Sequence, residues 1–137
     1  MAIGSIITAN DINRGSGDAE LIFRGITNVF PVLSIPSYIS FSVGFSLSGA
    51  DLTKNNLLRI TIESQDSREE ITIFENNIPA NSLIGSPEES DSMSLGGNMN
   101  MRNVVITNIG LHDVKLKLNE ELITQTPIRI VINENVQ

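Results

Sequence analysis

The most regular pattern in the chain is Ile39–Gly49, ISFSVGFSLSG. Ile39, Phe41, Val43, Phe45 and Leu47 are large and apolar, while Ser40, Ser42, Gly44, Ser46 and Ser48 between them are small. A period of two puts the first set on one face of a β-strand and the second on the other. Similar alternation recurs along the chain. It predicts strands from about Ile3 to Ala9, Ala19 to Asn28, Tyr38 to Ser48, and over NLLRITIES, where Leu58, Ile60 and Ile62 share a face. In EEITIFE, Ile71 and Ile73 are expected inward and Thr72 and Phe74 outward. A strand from about Met101 to Asn108 follows. A closing hairpin turns at Asn119, Glu120 and Glu121, with Ile128, Ile130 and Ile132 facing in.

SQDSR reads as a hairpin turn, because Ser and Asp bond their own backbone. Pro127 lacks the N–H a ladder needs, which predicts an edge position or a bulge. No stretch sustains a helical period, and SGADLTKNNLL holds at most a single turn. The expected fold is therefore all-β. It is one antiparallel β-sandwich of about eight strands, immunoglobulin-like or jelly-roll-like, spanning residues 1–137 as a single domain. Consistently aliphatic inner faces favour two packed sheets over a barrel with a polar lumen. Asn76–Asn100, rich in Pro, Gly, Ser, Asn and acid, is expected to be one long mobile loop within that domain.

Composition narrows the chemistry. The chain has no Cys, which excludes disulfides and thiolate sites and is compatible with a cytoplasmic location. The N-terminal MAIGSIITANDINRG has no basic region and no long apolar run, so no leader is expected. No apolar run is long enough to span a membrane. The formal net charge is −7 and the basic residues are dispersed. On that ground neither nucleic acid nor a membrane surface is expected as a partner.

GITNVFPVLSIP, the closing GLHDVKLKLNEELITQTPIRIVI and the early IITANDI resemble a family of small bacterial and mobile-element β-sandwich proteins of uncharacterised function. The likeness covers most of the chain outside Asn76–Asn100. His112 and Thr27 stand where that family more often has aromatic residues. The resemblance implies the sandwich fold and a bacterial or phage origin, and it supplies no active site.

Catalytic candidates are thin. The single histidine, His112, has Asp113 beside it, but no G-x-S-x-G elbow is present. The Glu69–Glu70, Glu88–Glu89 and Glu120–Glu121 pairs are adjacent, so on a strand their side chains diverge. RGSG at Arg14–Gly17 lacks the helix and Lys-Ser/Thr of a phosphate loop. Loop carboxylates at Asp11, Asp18 and Asp51 match no calcium-loop spacing. No catalytic residue, metal site or cofactor is expected, and an enzyme is the least favoured class.

Binding candidates fall in two groups. The small face of the third strand (Ser40, Ser42, Gly44, Ser46) and the methionines Met93, Met99 and Met101 are candidate contact surfaces. Arg14, Arg24, Lys115, Lys117 and Arg129 would form an anion pocket if they converge. The leading expectation is a non-enzymatic, self-associating interaction protein, a homo-oligomer with room for a protein partner. The alternatives are a protein that sequesters a small anionic ligand such as a signalling nucleotide against a host defence, and a structural phage or surface component.

Overall fold

The computed structural model describes residues 2–14, 21–81 and 94–133. The chain is all-β, with two sheets packed face to face. The strands are β1 (Ile3–Arg14), β2 (Leu21–Ile26), β3 (Val29–Val32), β4 (Ser37–Ser48), β5 (Asn56–Ser64), β6 (Glu70–Ile78), β7 (Ser94–Ile106), β8 (Gly110–Leu118) and β9 (Glu121–Ile132). One sheet runs β2-β1-β4-β7 and the other β3-β9-β8-β5-β6. No helix among the described residues is long and apolar enough to cross a membrane.

The alternating aliphatic faces make the core. Phe41, Val43 and Leu47 of β4 and Met101, Val104 and Ile106 of β7 are buried from one side. Leu58, Ile60 and Ile62 of β5, Val114, Leu116 and Leu118 of β8, and Ile128 and Ile130 of β9 are buried from the other. Phe30 of β3 and Phe41 of β4 join the two sheets, with ring centroids 5.3 Å apart and planes tilted by 50°. Ile132, expected inward, lies at the end of β9 and is about half exposed.

The expected strand over Ala19–Asn28 is in fact two elements. Thr27 N still donates to Thr8 O at 3.2 Å, while Asn28 O accepts from Arg129 N at 2.7 Å. The chain changes sheet between those two residues. β3 then runs parallel to β9, pairing Val29–Val32 with Arg129–Ile132, so the sandwich is not purely antiparallel. That register leaves residues 121–128 of β9 with β8 alone as ladder partner, and Pro127 sits there. The closing turn is two residues, Asn119 and Glu120, both in the left-handed region at φ 53° and 69°. Such turns match the twist of antiparallel strands.

Two register shifts correct the predicted faces. Between Ile60 and Thr61 of β5, the partner residue jumps from Phe74 to Thr72, so β6 carries one extra residue, Ile73. The bulge changes the phase of the strand. Phe74, expected outward, therefore faces Ile60 and packs against the core. A second bulge on β7 sets Arg102 and Asn103 against Ser40, and Asn103 takes φ 56°. The expected loop Asn76–Asn100 is shorter than its composition suggests: Asn76–Ile78 closes β6 and Ser94–Asn100 opens β7. Residues 82–93 of that segment lie outside the described part.

Gly4 and Gly96 make opposite predictions. A Cβ on Gly4 would sit 2.6 Å from the Ser46 carbonyl oxygen, whereas one on Gly96 would meet Phe45 O at 3.5 Å. Gly4→Ala should cost about 1–3 kcal/mol in denaturant unfolding, as overpacking does. Gly96→Ala should stay within about 0.5 kcal/mol.

Candidate functional site

The serine face does not lie on an edge. β4 is bonded by β1 on one side and β7 on the other, so both its ladders are occupied. The hydroxyls bond within the same sheet. Ser42 donates to Asn100 Oδ1, Ser46 Oγ lies 2.8 Å from Ser5 Oγ, and Ser40 Oγ accepts from Asn103 N at 3.2 Å. Ser42 and Gly44 are buried, and Ser46 is exposed. The small residues let the neighbouring strands' polar side chains lie against β4. Strand-edge pairing through β4 is closed.

The methionines separate. Met101 is a core residue of β7, Met99 is half-buried on the same face, and Met93 lies outside the described residues. The cations are divided between the two sheets. Arg14 and Arg24 sit on the β1–β2 hairpin of the first sheet. Lys115, Lys117 and Arg129 lie on the outer face of the second. There Lys115 Nζ meets Glu63 Oε1 and Lys117 Nζ meets Glu70 Oε2, both at 2.7 Å. Arg59 bridges Glu75 at 3.1 Å and Glu120 at 2.8 Å. The bonds from Lys117 and Thr61 hold the Glu70 carboxyl below its ordinary pKa. The bond to Glu63 raises the Lys115 ammonium above its own.

His112 is buried in β8, its Nδ1 3.1 Å from Gly110 O. Asp113 points to the opposite face and accepts from Gln65 Nε2 at 3.2 Å, so His112 and Asp113 do not act on one point. Among the described residues no three His, Asp or Glu side chains converge as metal ligands would.

The open side of the sandwich is different. β6 ends one sheet and β7 ends the other, and these two edges face each other without pairing. A groove runs between them in two adjoining stretches. The first, about 500 Å³, lies between Ile71–Ile73 and Asn100–Val105, at the level of both bulges. The second, about 350 Å³, lies between Phe74–Pro79 and Gly96–Met99 and reaches Phe45 and Leu58. In that second stretch Phe45, Phe74 and Met99 form an apolar floor, each half-buried. Asn76, Asn77 and Asn98 lie along its rim, Asn76 at an inward position and Asn77 and Asn98 at outward ones.

Among the described residues no charged side chain lines this second stretch, in a chain with nine basic and sixteen acidic residues. Asn76 is its most informative residue. It faces Leu58 across the ladder, on the inward side of β6 between Phe74 and Ile78. It is nevertheless exposed, because the groove is open above it. Opposite, a Cβ on Gly97 would lie 3.1 Å from Phe45 Cε1, so the bare Gly97 lets that ring extend over β7. The sequence did hold a signal for this site. Asn76-Asn77 and Gly96-Gly97 are poor strand formers placed inside strands.

No protein-family model and no curated protein sequence matches this chain. Among solved structures, the chain is similar to part of the Pseudomonas fluorescens alkylpurine DNA glycosylase AlkC, bound to DNA containing an abasic-site analogue. The identity is 10% and the TM-score 0.49, covering 76% of this chain and 28% of that one. That neighbour is an enzyme bound to DNA, and it corrects two expectations. The self-associating interaction protein, with its sequestering and structural alternatives, is withdrawn, and so is the exclusion of nucleic acid. Net charge is a property of the whole chain, whereas a nucleic-acid contact depends on the local field at one surface.

The ion pairs yield a pH prediction. A carboxylate with a lowered folded pKa stabilises the protein above its unfolded pKa, and that stability is lost as pH falls through the folded value. Glu70→Gln should therefore lower stability at neutral pH by about 1 kcal/mol or less. The difference from wild type should shrink as pH falls below about 4, where unfolded Glu is protonated, and vanish only below the lowered folded value. Urea midpoints of the two proteins across that range check it.

Proposed function

We propose that the chain is a ligand-binding β-sandwich whose site is the groove between β6 and β7, and that its ligand is an uncharged molecule with both apolar and hydrogen-bonding faces. One observation carries the reading: an exposed amide on an inward position, Asn76, stands over an apolar floor in a groove of about 350 Å³ whose described lining carries no charge. Small-molecule sites combine an apolar lining with a few placed polar groups, and they start at about 300 Å³. A charged ligand left unpaired in such a groove would lose hydration without compensation.

The residues present suit binding more than acid–base chemistry. His112 lines neither stretch of the groove, and its Nδ1 lies 3.1 Å from the Gly110 carbonyl oxygen. The carboxylates of the outer face are engaged with cations. The lack of cysteine accords with a reducing compartment, and we place the activity in the cytoplasm.

Uncharged organic probes test this directly. In NMR titrations with dioxane and ethylene glycol, the amides of Phe45, Phe74, Asn76 and Met99 should shift most. Gly97→Val should abolish those shifts, because its side chain meets the Phe45 ring and fills the groove. The variant should remain folded, since Val suits a strand and Gly97 is not in the left-handed region. Probe shifts concentrated elsewhere, or unchanged in Gly97→Val, would contradict the assignment.

A further inference from the structure

A second site lies on the first sheet, where its strands part. The ladder between β1 and β4 runs from Ile3 with Ser48 to Ala9 with Ser42 and ends there. β1 continues beside β2 as far as Arg14 with Leu21, so the sheet forks beyond Ala9. At the same level β7 carries its bulge, with Arg102 and Asn103 set against Ser40. Strand irregularities of this kind gather next to functional sites, where they re-aim side chains. A pocket of about 160 Å³ lies at the fork. Asn10 and Asp11 of β1 line one side, Asn100 and Arg102 of β7 the other, and Ser40 and Ser42 of β4 lie between them. We infer that this pocket takes a guanine base, presented by a single strand of nucleic acid.

The first argument is charge. A carboxylate and a guanidinium line the same small space from opposite sides. A simple anion is opposed by Asp11 and a simple cation by Arg102. The pocket suits a group that is neutral overall, with donors at one edge and acceptors at another. Asp11 is already engaged within the fold. A carboxylate has about four lone-pair sites, so one engagement leaves others for a ligand.

The second argument is the set of donors and acceptors. Ser42 donates to Asn100 Oδ1, which leaves the Asn100 N–H groups as donors. Ser40 Oγ accepts from Asn103 N at 3.2 Å, which leaves its O–H to donate. Together with Arg102, the β4–β7 side is a group of donors, and Asp11 opposite is an acceptor. Guanine matches both. Its O6 and N7 are adjacent acceptors that one guanidinium takes in bidentate fashion. Its N1–H and N2 amino group are adjacent donors that suit one carboxylate. Adenine, cytosine and uracil lack that pair of adjacent donors.

The third argument is shape. The small side chains of β4 make a floor between longer ones, on which a planar ring lies flat. Tyr38 stands two residues before Ser40 and shares its face of the strand. It is 67% exposed, an open aromatic on which the next base of a strand stacks. Only an unpaired guanine shows its N1–H and N2 edge, so the strand is single.

The test is an NMR titration of the full chain at low salt. The probes are guanosine and a short oligothymidylate carrying one central guanine, hypoxanthine or adenine. The guanine strand should give saturable shifts at Asn10, Asp11, Ser40 and Arg102. It should bind roughly tenfold more tightly than the hypoxanthine strand, which lacks the N2 amino group, as expected of one bidentate pair. It should also bind more tightly than guanosine. Asp11→Asn should erase the preference for guanine. Arg102→Gln should weaken guanine binding roughly tenfold. Arg129→Gln, the same loss of charge on the other sheet, should not. Arg102 is exposed on an edge strand, so its variant keeps the test open if Asp11→Asn fails to fold.

Equal affinity for guanosine and the guanine strand keeps the base and overturns the strand as its source. Equal binding of the three strands, or equal losses in Arg102→Gln and Arg129→Gln, would mean that charge alone is read, and overturns the guanine assignment. Saturation of the same amides by free glutamine, a zwitterion, with no shift from guanine overturns it too. No shift at these residues from any probe overturns the site itself.

Discussion

The structure depends on the burial of two alternating aliphatic faces against each other. Burial removes apolar surface from water and is the main favourable term in folding. Phe41, Val43 and Leu47 from one sheet and Ile60, Leu116, Ile128 and Ile130 from the other are almost fully enclosed. Everything else is arranged around that contact. The chain crosses between sheets at Thr27–Asn28 and so brings Phe30 over Phe41. The outer face of the second sheet carries the ion pairs, where charge remains near water. The outer face of the first carries the serines and asparagines.

The order of strands sets where the sandwich is open. β6 and β7 follow one another in sequence but end different sheets, so no ladder joins them. A fully closed seam would bury the inward residues of both edges completely. Instead Phe45, Phe74 and Met99 are only half-covered, and Asn76 occupies an inward position that an aliphatic residue would fill in a closed core. The bulges on both edges add to this. They change the phase of β6 and β7 so that Phe74 and Val104 turn toward the core. Fold and groove are thus products of the same two local insertions.

Much of this architecture was legible from alternation alone. The strands over Tyr38–Ser48, Asn56–Ser64 and the final hairpin fall where the period of two puts them, with the faces of β5 and β8 as expected. The β3 segment was not legible, because VFPV is short and its Pro reads as a break. Phe74 was assigned to the wrong face because one inserted residue inverts all positions after it. The site was harder still. Alternation drew attention to Ser40, Ser42 and Ser46, whose hydroxyls turn out to bond neighbouring strands. Lys115 and Lys117 looked available in sequence, but their partners Glu63 and Glu70 lie 52 and 47 residues away along the chain. Pairing over that distance follows from register, which composition does not carry.

Hydrogen–deuterium exchange of the backbone amides tests the open seam most directly. If the edges of β6 and β7 face solvent across a groove, alternate amides of these strands should exchange far faster than those of β4, β5 and β8. The slow and fast sets should alternate along each edge strand, with the β5-bonded and β4-bonded amides protected. Uniform protection along β6 and β7, equal to that of the inner strands, would mean that the seam is closed and that no groove is available to a ligand.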